Sequence, residues 1–225
     1  DKFDDSAAPL YRIKVPNAPP TAVVFVTGIL NDANEAIANA QVLANFLTRN
    51  VELIHNLTYS FRRDVGQSAS NTIGVRDVPT RTLVAHIRNR LGGLKPGEIL
   101  HVIGHSQGTI IVSSALFQLT PSERSRIALT AYAPAVKFFP RDLASRRLII
   151  NVRDPIPLIG PYLHIWDSTI EYTKFRGPEY VSGTWAHSFS AYIADERVRR
   201  DPLTLAKAAS DRRATVTRNL ERRGW

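Results

Sequence analysis

The 225-residue chain contains no cysteine. Disulfides, thiol nucleophiles and cysteine-ligated metals are thereby excluded, while the redox compartment is left open. Long apolar runs are missing as well. The longest are short, such as Ala22–Val26 and Ile110–Val112, far from the roughly 20 residues that cross a bilayer. No leader-peptide pattern opens the sequence, yet it begins at Asp1 rather than Met, so localisation stays undecided. Neither G-x-G-x-x-G nor a P-loop occurs, which leaves a nucleotide cofactor without support. No cluster of carboxylates and imidazoles stands out as a metal site. The expectation is therefore no cofactor and no metal. Internal repeats and low-complexity tracts are absent too.

What is present describes a globular protein. Hydrophobic residues make up 44% and charged residues 22% of the chain, enough apolar surface for one substantial core. We read 1–225 as a single domain with an N-terminal extension over 1–20. The net charge is +9, and the excess gathers late, between Arg197 and Arg223. A basic C-terminal helical segment over 196–225 suits an anionic membrane surface. However, Asp195, Glu196, Asp201, Asp211 and Glu221 interleave with the cations, as on an ordinary solvated helix face. No nucleic-acid motif and no aromatic platform accompany these cations, so nucleic acid is not an expected partner.

Strand and helix patterns alternate along the chain. Thr21–Gly28 is a short β-branched run closed by glycine, hence a buried strand. Asp32–Asn50 carries Ala36, Ile37, Ala40, Leu43, Ala44 and Leu47 at helical spacing, with Asp32 or Asn34 to cap it. Val51–Tyr59 is a strand. Residues 60–79 have almost no apolar periodicity, and a loop of that length is a lid candidate. A helix follows from Pro79 and stops at Gly92-Gly93. Glu98–Gly104 is a strand, Gln107–Leu119 an apolar helix, and Arg126–Ala135 and Arg146–Gly160 further strands, the last broken by Pro155 and Pro157. Two helical segments come late, near His187–Ala194 and Leu203–Asn219. Continuously apolar strands alternating with helices predict an α/β fold with a mostly parallel sheet covered on both faces.

The sequence Gly104-His105-Ser106-Gln107-Gly108 falls between a strand and a helix. In that setting G-x-S-x-G has a mechanical meaning. The chain must reverse so sharply that the serine takes a strained conformation, and glycines stand where side chains would collide. The hydroxyl is then raised above the sheet edge, over a helix N-terminus that favours developing negative charge. A plain glycine-rich turn with a capping serine has the same bare pattern, and the strand–helix context is what separates the two. His105, beside the serine on a tight turn, points away from it and serves the pocket rather than the chemistry.

"GHSQG" resembles the nucleophile elbow of α/β-hydrolases. Asn151–Gly160, "NVRDPIPLIG", is similar to the strand end that carries the triad acid in class 3 lipases. Trp185–Tyr192, "WAHSFSAY", resembles their histidine-bearing segment. The resemblance runs in order over roughly Thr21–Tyr192, and it implies the α/β-hydrolase fold with Ser106 as nucleophile.

A serine needs a base, and the base an orienting acid. Of six histidines, His101 falls in a strand, His86 in a helix, and His55 precedes the nucleophile. His187 and His164 remain, and we assign His187, with His164 in reserve. Asp154 follows a strand at the carboxyl end where α/β sheets place their sites, and rigid prolines follow it. Asp167 is second choice, while Asp142 and Asp195 lie in charged, exposed surroundings. The order Ser106, Asp154, His187 is that of α/β-hydrolases. The oxyanion donors expected are the backbone N–H of Gln107 and one from "TGILND", at Ile29 or Leu30.

The expected activity is hydrolysis of a carboxylic ester, with a small-molecule or lipid ester as substrate. Ile156, Leu158, Ile159, Phe138 and Phe139 are equally fit to line an acyl pocket or to fill the core. Two rivals stand beside it: an acyltransferase using the same triad, and a non-catalytic hydrolase-fold effector acting through its basic surface.

Overall fold

The computed structural model describes residues 8–19, 23–28, 32–55, 78–136, 139–151, 154, 170–173 and 187–194. They contain strands β1 (Leu10–Ile13), β2 (Val23–Val26), β3 (Val51–Ile54), β4 (Leu100–His105), β5 (Ile127–Tyr132), β6 (Ser145–Asn151) and β7 (Ile170–Thr173). The helices are α1 (Ala33–Leu47), α2 (Val78–Gly93), α3 (Gly108–Phe117), α4 (Pro121–Arg124) and α5 (Phe189–Ala194).

The strands form one sheet in the order β1-β3-β2-β4-β5-β6-β7. β1 lies antiparallel on β3, and every other pairing is parallel. From β2 the chain crosses through α1 to β3 on one side, then returns through α2 to β4 on the other. The β2/β4 boundary is thus the point where the winding reverses, the place at which open α/β sheets open a crevice above their carboxyl ends.

Alternation along each strand feeds two cores. Val24, Val26, Val102 and Leu129 pack with Leu83 and Ile87 of α2 and Val112 and Leu116 of α3. Phe25, Leu53, Ile103, Tyr132 and Ile149 pack on the opposite face with Leu43 of α1 and with Phe189 and Tyr192 of α5. Each such fully buried apolar side chain contributes about 1.5–3 kcal/mol, so the two layers fix the helices against the sheet. This is the expected arrangement of a mostly parallel sheet with helices on both faces.

Local chemistry sets the ends. Asp32 caps α1 by accepting the Glu35 N–H at 2.8 Å. Thr48 closes the helix in a left-handed conformation, φ +52°. Thr120 and Glu123 form a reciprocal capping box around α4.

The structure departs from the sequence reading in several places. Residues 10–13, expected within an N-terminal extension, form the edge strand β1. Its residues alternate between exposed and half-buried, too weak a pattern to separate from a polar leader. β7 lies in a stretch to which no element was assigned, and the short α4 was not expected. Val78 and Pro79, taken as the end of the lid candidate, open α2; 60–77 lie outside the described residues. So do the helical segment near 203–219 and the whole basic segment 196–225.

Close backbone approach at the β2/β4 boundary requires glycine. A Cβ on Gly108 would collide with the carbonyl oxygen of Val26 and stand 2.5 Å from that of Thr27. The first turn of α3 therefore rests directly on the end of β2. Gly92, inside α2, has open space around it. Gly108→Ala should lower stability by about 3 kcal/mol, as overpacking against immobile backbone does. Gly92→Ala should raise it by about 0.5–1 kcal/mol. Urea unfolding of both variants checks this; equal and small effects would show that the α3–β2 contact is slack.

Candidate active site

At the end of β4 the chain turns through Ser106, whose φ is +54°. A non-glycine residue there costs about 1–3 kcal/mol and persists only where its surroundings force it. Several hydrogen bonds do so. The Ser106 N–H donates to the Tyr132 carbonyl at 3.0 Å, and the Ser106 carbonyl accepts from the Thr109 N–H at 3.0 Å. That carbonyl also accepts the Thr109 hydroxyl at 2.6 Å. Thr109 in turn accepts the Ala135 N–H at 2.9 Å. Gly28 admits the bend from the other side, because a Cβ on it would stand 2.9 Å from the Ser106 Cβ.

The raised hydroxyl meets His187. Ser106 Oγ lies 2.7 Å from His187 Nε2, and His187 Nδ1 lies 2.8 Å from Asp154 Oδ2. Asp154 has no exposed surface, whereas the His187 side chain keeps 21% of its own. A carboxylate only accepts, so Nδ1 carries the ring hydrogen, Nε2 presents its lone pair, and Ser106 donates to it. Asp154 follows β6, and its N–H donates to the Asn151 carbonyl at 2.9 Å. His187 stands two residues before α5, which packs on the sheet through Phe189, Ala191 and Tyr192.

Two side chains complete the frame. His105 Nε2 donates to the His187 backbone carbonyl at 2.9 Å, and the two rings lie 5.2 Å apart. The residue beside the serine thus ties down the segment that carries the imidazole. Tyr192 donates its hydroxyl to Asp154 Oδ2 at 2.8 Å and accepts the Asn151 N–H at 3.0 Å. Burial first, then the Asp154 charge, push its phenol well above the usual range, so it stays a donor. The sequence reading missed Tyr192. Its signal was three-residue spacing from Phe189 on one helix face, since a tyrosine buried there needs a partner for its hydroxyl.

Gln107 immediately precedes α3 and is buried, at the helix N-terminus where an anion is favoured. Ile29 and Leu30 lie outside the described residues, as do His164, Asp167, Asp195, Phe138, Ile156, Leu158 and Ile159. Phe139 is in the α2/α3 core. His86 pairs with Glu52 at 2.9 Å, His101 faces Thr130 at 3.3 Å, and His55 lies against Tyr11. Asp142 is paired with Arg124 at 2.7 Å. Among the described residues, no group of three or more His, Asp or Glu is arranged to hold a metal ion, and no helix is long and apolar enough to cross a membrane.

Burial first, and then the His187 charge, push the His105 imidazole down to about 3, against the opposing effect of its bond to the His187 carbonyl. The unfolded chain titrates this ring near 6.5. Between those values the unfolded state binds the extra proton, so stability falls as pH falls from about 6.5 towards 3. One such proton is worth about 1.4 kcal/mol per pH unit. His105→Gln keeps a donor and removes the titration, so denaturation from pH 7 to 4 should show a loss shallower by about one proton. Identical slopes would contradict the burial of a neutral ring.

Solved structures share this architecture. An esterase from Pyrobaculum calidifontis matches with a TM-score of 0.52 and 13% identity, over 92% of this chain and 86% of that one. Esterase PE8 matches with a TM-score of 0.53 and 18% identity, over 89% and 98%. An arylesterase matches with a TM-score of 0.53 and 14% identity, over 94% and 83%. No protein-family model matches the chain, and neither does any curated protein sequence. Such low identities bear on architecture alone, and on that ground the chain has the α/β-hydrolase fold.

Proposed function

We propose that this protein is a serine hydrolase of carboxylic esters, related in its motifs to class 3 lipases. Ser106 is the nucleophile, His187 the base and Asp154 the orienting acid. The observation that carries the proposal is the unbroken hydrogen-bond chain from Ser106 Oγ through His187 to the buried Asp154 carboxylate. It starts at a serine held in a left-handed bend. A capping or merely structural serine needs neither feature.

In the proposed reaction Ser106 Oγ attacks the ester carbonyl while its proton passes to His187 Nε2. The carbonyl oxygen takes up the negative charge and is bound by the Gln107 N–H, with a second donor from the "TGILND" loop. As the tetrahedral intermediate collapses, the imidazolium returns the proton to the departing alkoxide. A water, deprotonated by the same nitrogen, then releases the acid and restores the hydroxyl. Asp154 holds the Nδ1–H tautomer throughout and stabilises the imidazolium. The esterase names among the structural relatives agree with this chemistry.

Kinetics of a short-chain p-nitrophenyl ester test the assignment. Ser106→Ala and His187→Ala should each lower kcat by about 10⁴-fold or more, and Asp154→Asn by about 10³–10⁴-fold, with KM little changed. Because the three groups act as a unit, His187→Ala combined with Asp154→Asn should cost no more than His187→Ala alone. Full activity in any of the single variants removes that residue from the mechanism.

A further inference from the structure

We infer that Tyr192 is a positioning residue that sets the basicity of His187 through Asp154, an inference that rests on the function proposed above. The Tyr192 hydroxyl and His187 Nδ1 donate to the same carboxylate oxygen, Oδ2, each at 2.8 Å. One acceptor therefore divides its charge between two donors. A shorter or stronger bond from the phenol draws electron density away from the imidazole, and removal of that bond returns it.

The phenol is fixed at both ends. It receives the Asn151 N–H at 3.0 Å, and Asn151 ends β6, the strand that Asp154 follows. Its ring is wedged against Tyr132 at 6.0 Å and His105 at 6.1 Å. The side chain is fully buried, out of reach of bulk solvent. The histidine and the tyrosine leave the backbone five residues apart, and α5 thereby delivers the base and the group that tunes its acid together. Among the described residues, the other titratable or charged groups on the elements around this carboxylate are His101 and His105 on β4, Ser106 just after it, Tyr132 on β5, Arg146 and Arg147 on β6, and Glu171 and Tyr172 on β7. Arg147 lies two residues below Ile149 on the same face of β6, and Glu171 pairs in register with Ile149. Glu35, in the first turn of α1, is exposed.

A structural role alone would make Tyr192 a packing tyrosine whose loss lowers stability and nothing else. The two roles differ in the acid limb of kcat/KM against pH, which reports protonation of the free enzyme's base. With p-nitrophenyl acetate, Tyr192→Phe should move that limb up by about 0.5–1 pH unit, because a carboxylate oxygen relieved of the phenol favours the imidazolium more strongly. It should also lower kcat about tenfold with KM within twofold, since the carboxylate is less firmly aimed. 3-Fluorotyrosine at position 192 keeps the shape and the acceptor for Asn151 and is a stronger donor. It should move the limb the opposite way, to lower pH, and it carries the test alone if the phenylalanine variant does not fold.

Limbs that coincide with wild type in the folded variants would overturn the inference, even if both variants melt at lower temperature. Ser106→Ala serves as the reference. If it abolishes hydrolysis while the limbs do not move, the inference about Tyr192 fails by itself. If Ser106→Ala hydrolyses the ester at the wild-type rate, the proposed function fails, and the role of Tyr192 with it.

Discussion

Three stretches of backbone converge on one point in this protein, and that crowding shapes everything above the sheet. The end of β2, the bend after β4 and the first turn of α3 approach so closely that side chains are excluded at Gly28 and Gly108. With α3 pressed onto β2, the chain leaving β4 has no room for an ordinary turn and passes through a left-handed residue. That residue is a serine. Hydrogen bonds to Tyr132 and Thr109 hold it there, and the strain of about 1–3 kcal/mol is small beside the two cores that impose it. The raised hydroxyl is a consequence of packing in the layers beneath.

Electrostatics extend outward from that bend. Asp154 is wholly buried, and a buried carboxylate is tolerable only where donors surround it. It receives one hydrogen bond from His187 and one from Tyr192. Both donors come from the same short segment, which α5 anchors into the core through Phe189 and Ala191. His105 adds a bond to the backbone of His187, so the residue preceding the serine helps hold the partner of the serine. A neutral, buried imidazole in that position gives orientation without adding a competing charge.

Much of the sheet could be read from the chain because buried parallel strands are continuous apolar runs. "VVFV", "LHVIGH" and "IALTAY" are of that kind, and each proved a strand. β1 and β7 escaped because an edge strand of four residues carries little hydrophobic signal, and its pairing depends on partners distant in sequence. The serine was legible because its glycines bracket it locally. Asp154 and His187 required the chain order of a known family, since neither spacing nor composition links residues 33 apart. Tyr192 stood within a quoted motif and still went unrecognised. Its spacing from Phe189 marks a buried hydroxyl in need of a partner, but that the partner is Asp154 emerges only once β6 and α5 are packed together.

The central claim is that the bend at residue 106 presents an activated oxygen. Reaction of the folded protein with a fluorophosphonate, followed by mass spectrometry of the peptides, measures this directly. The account predicts one phosphonyl adduct, on Ser106, formed quickly by wild type and at least a thousandfold more slowly after His187→Ala. An adduct on any other residue, or an Ser106 adduct formed equally fast without the imidazole, would contradict it.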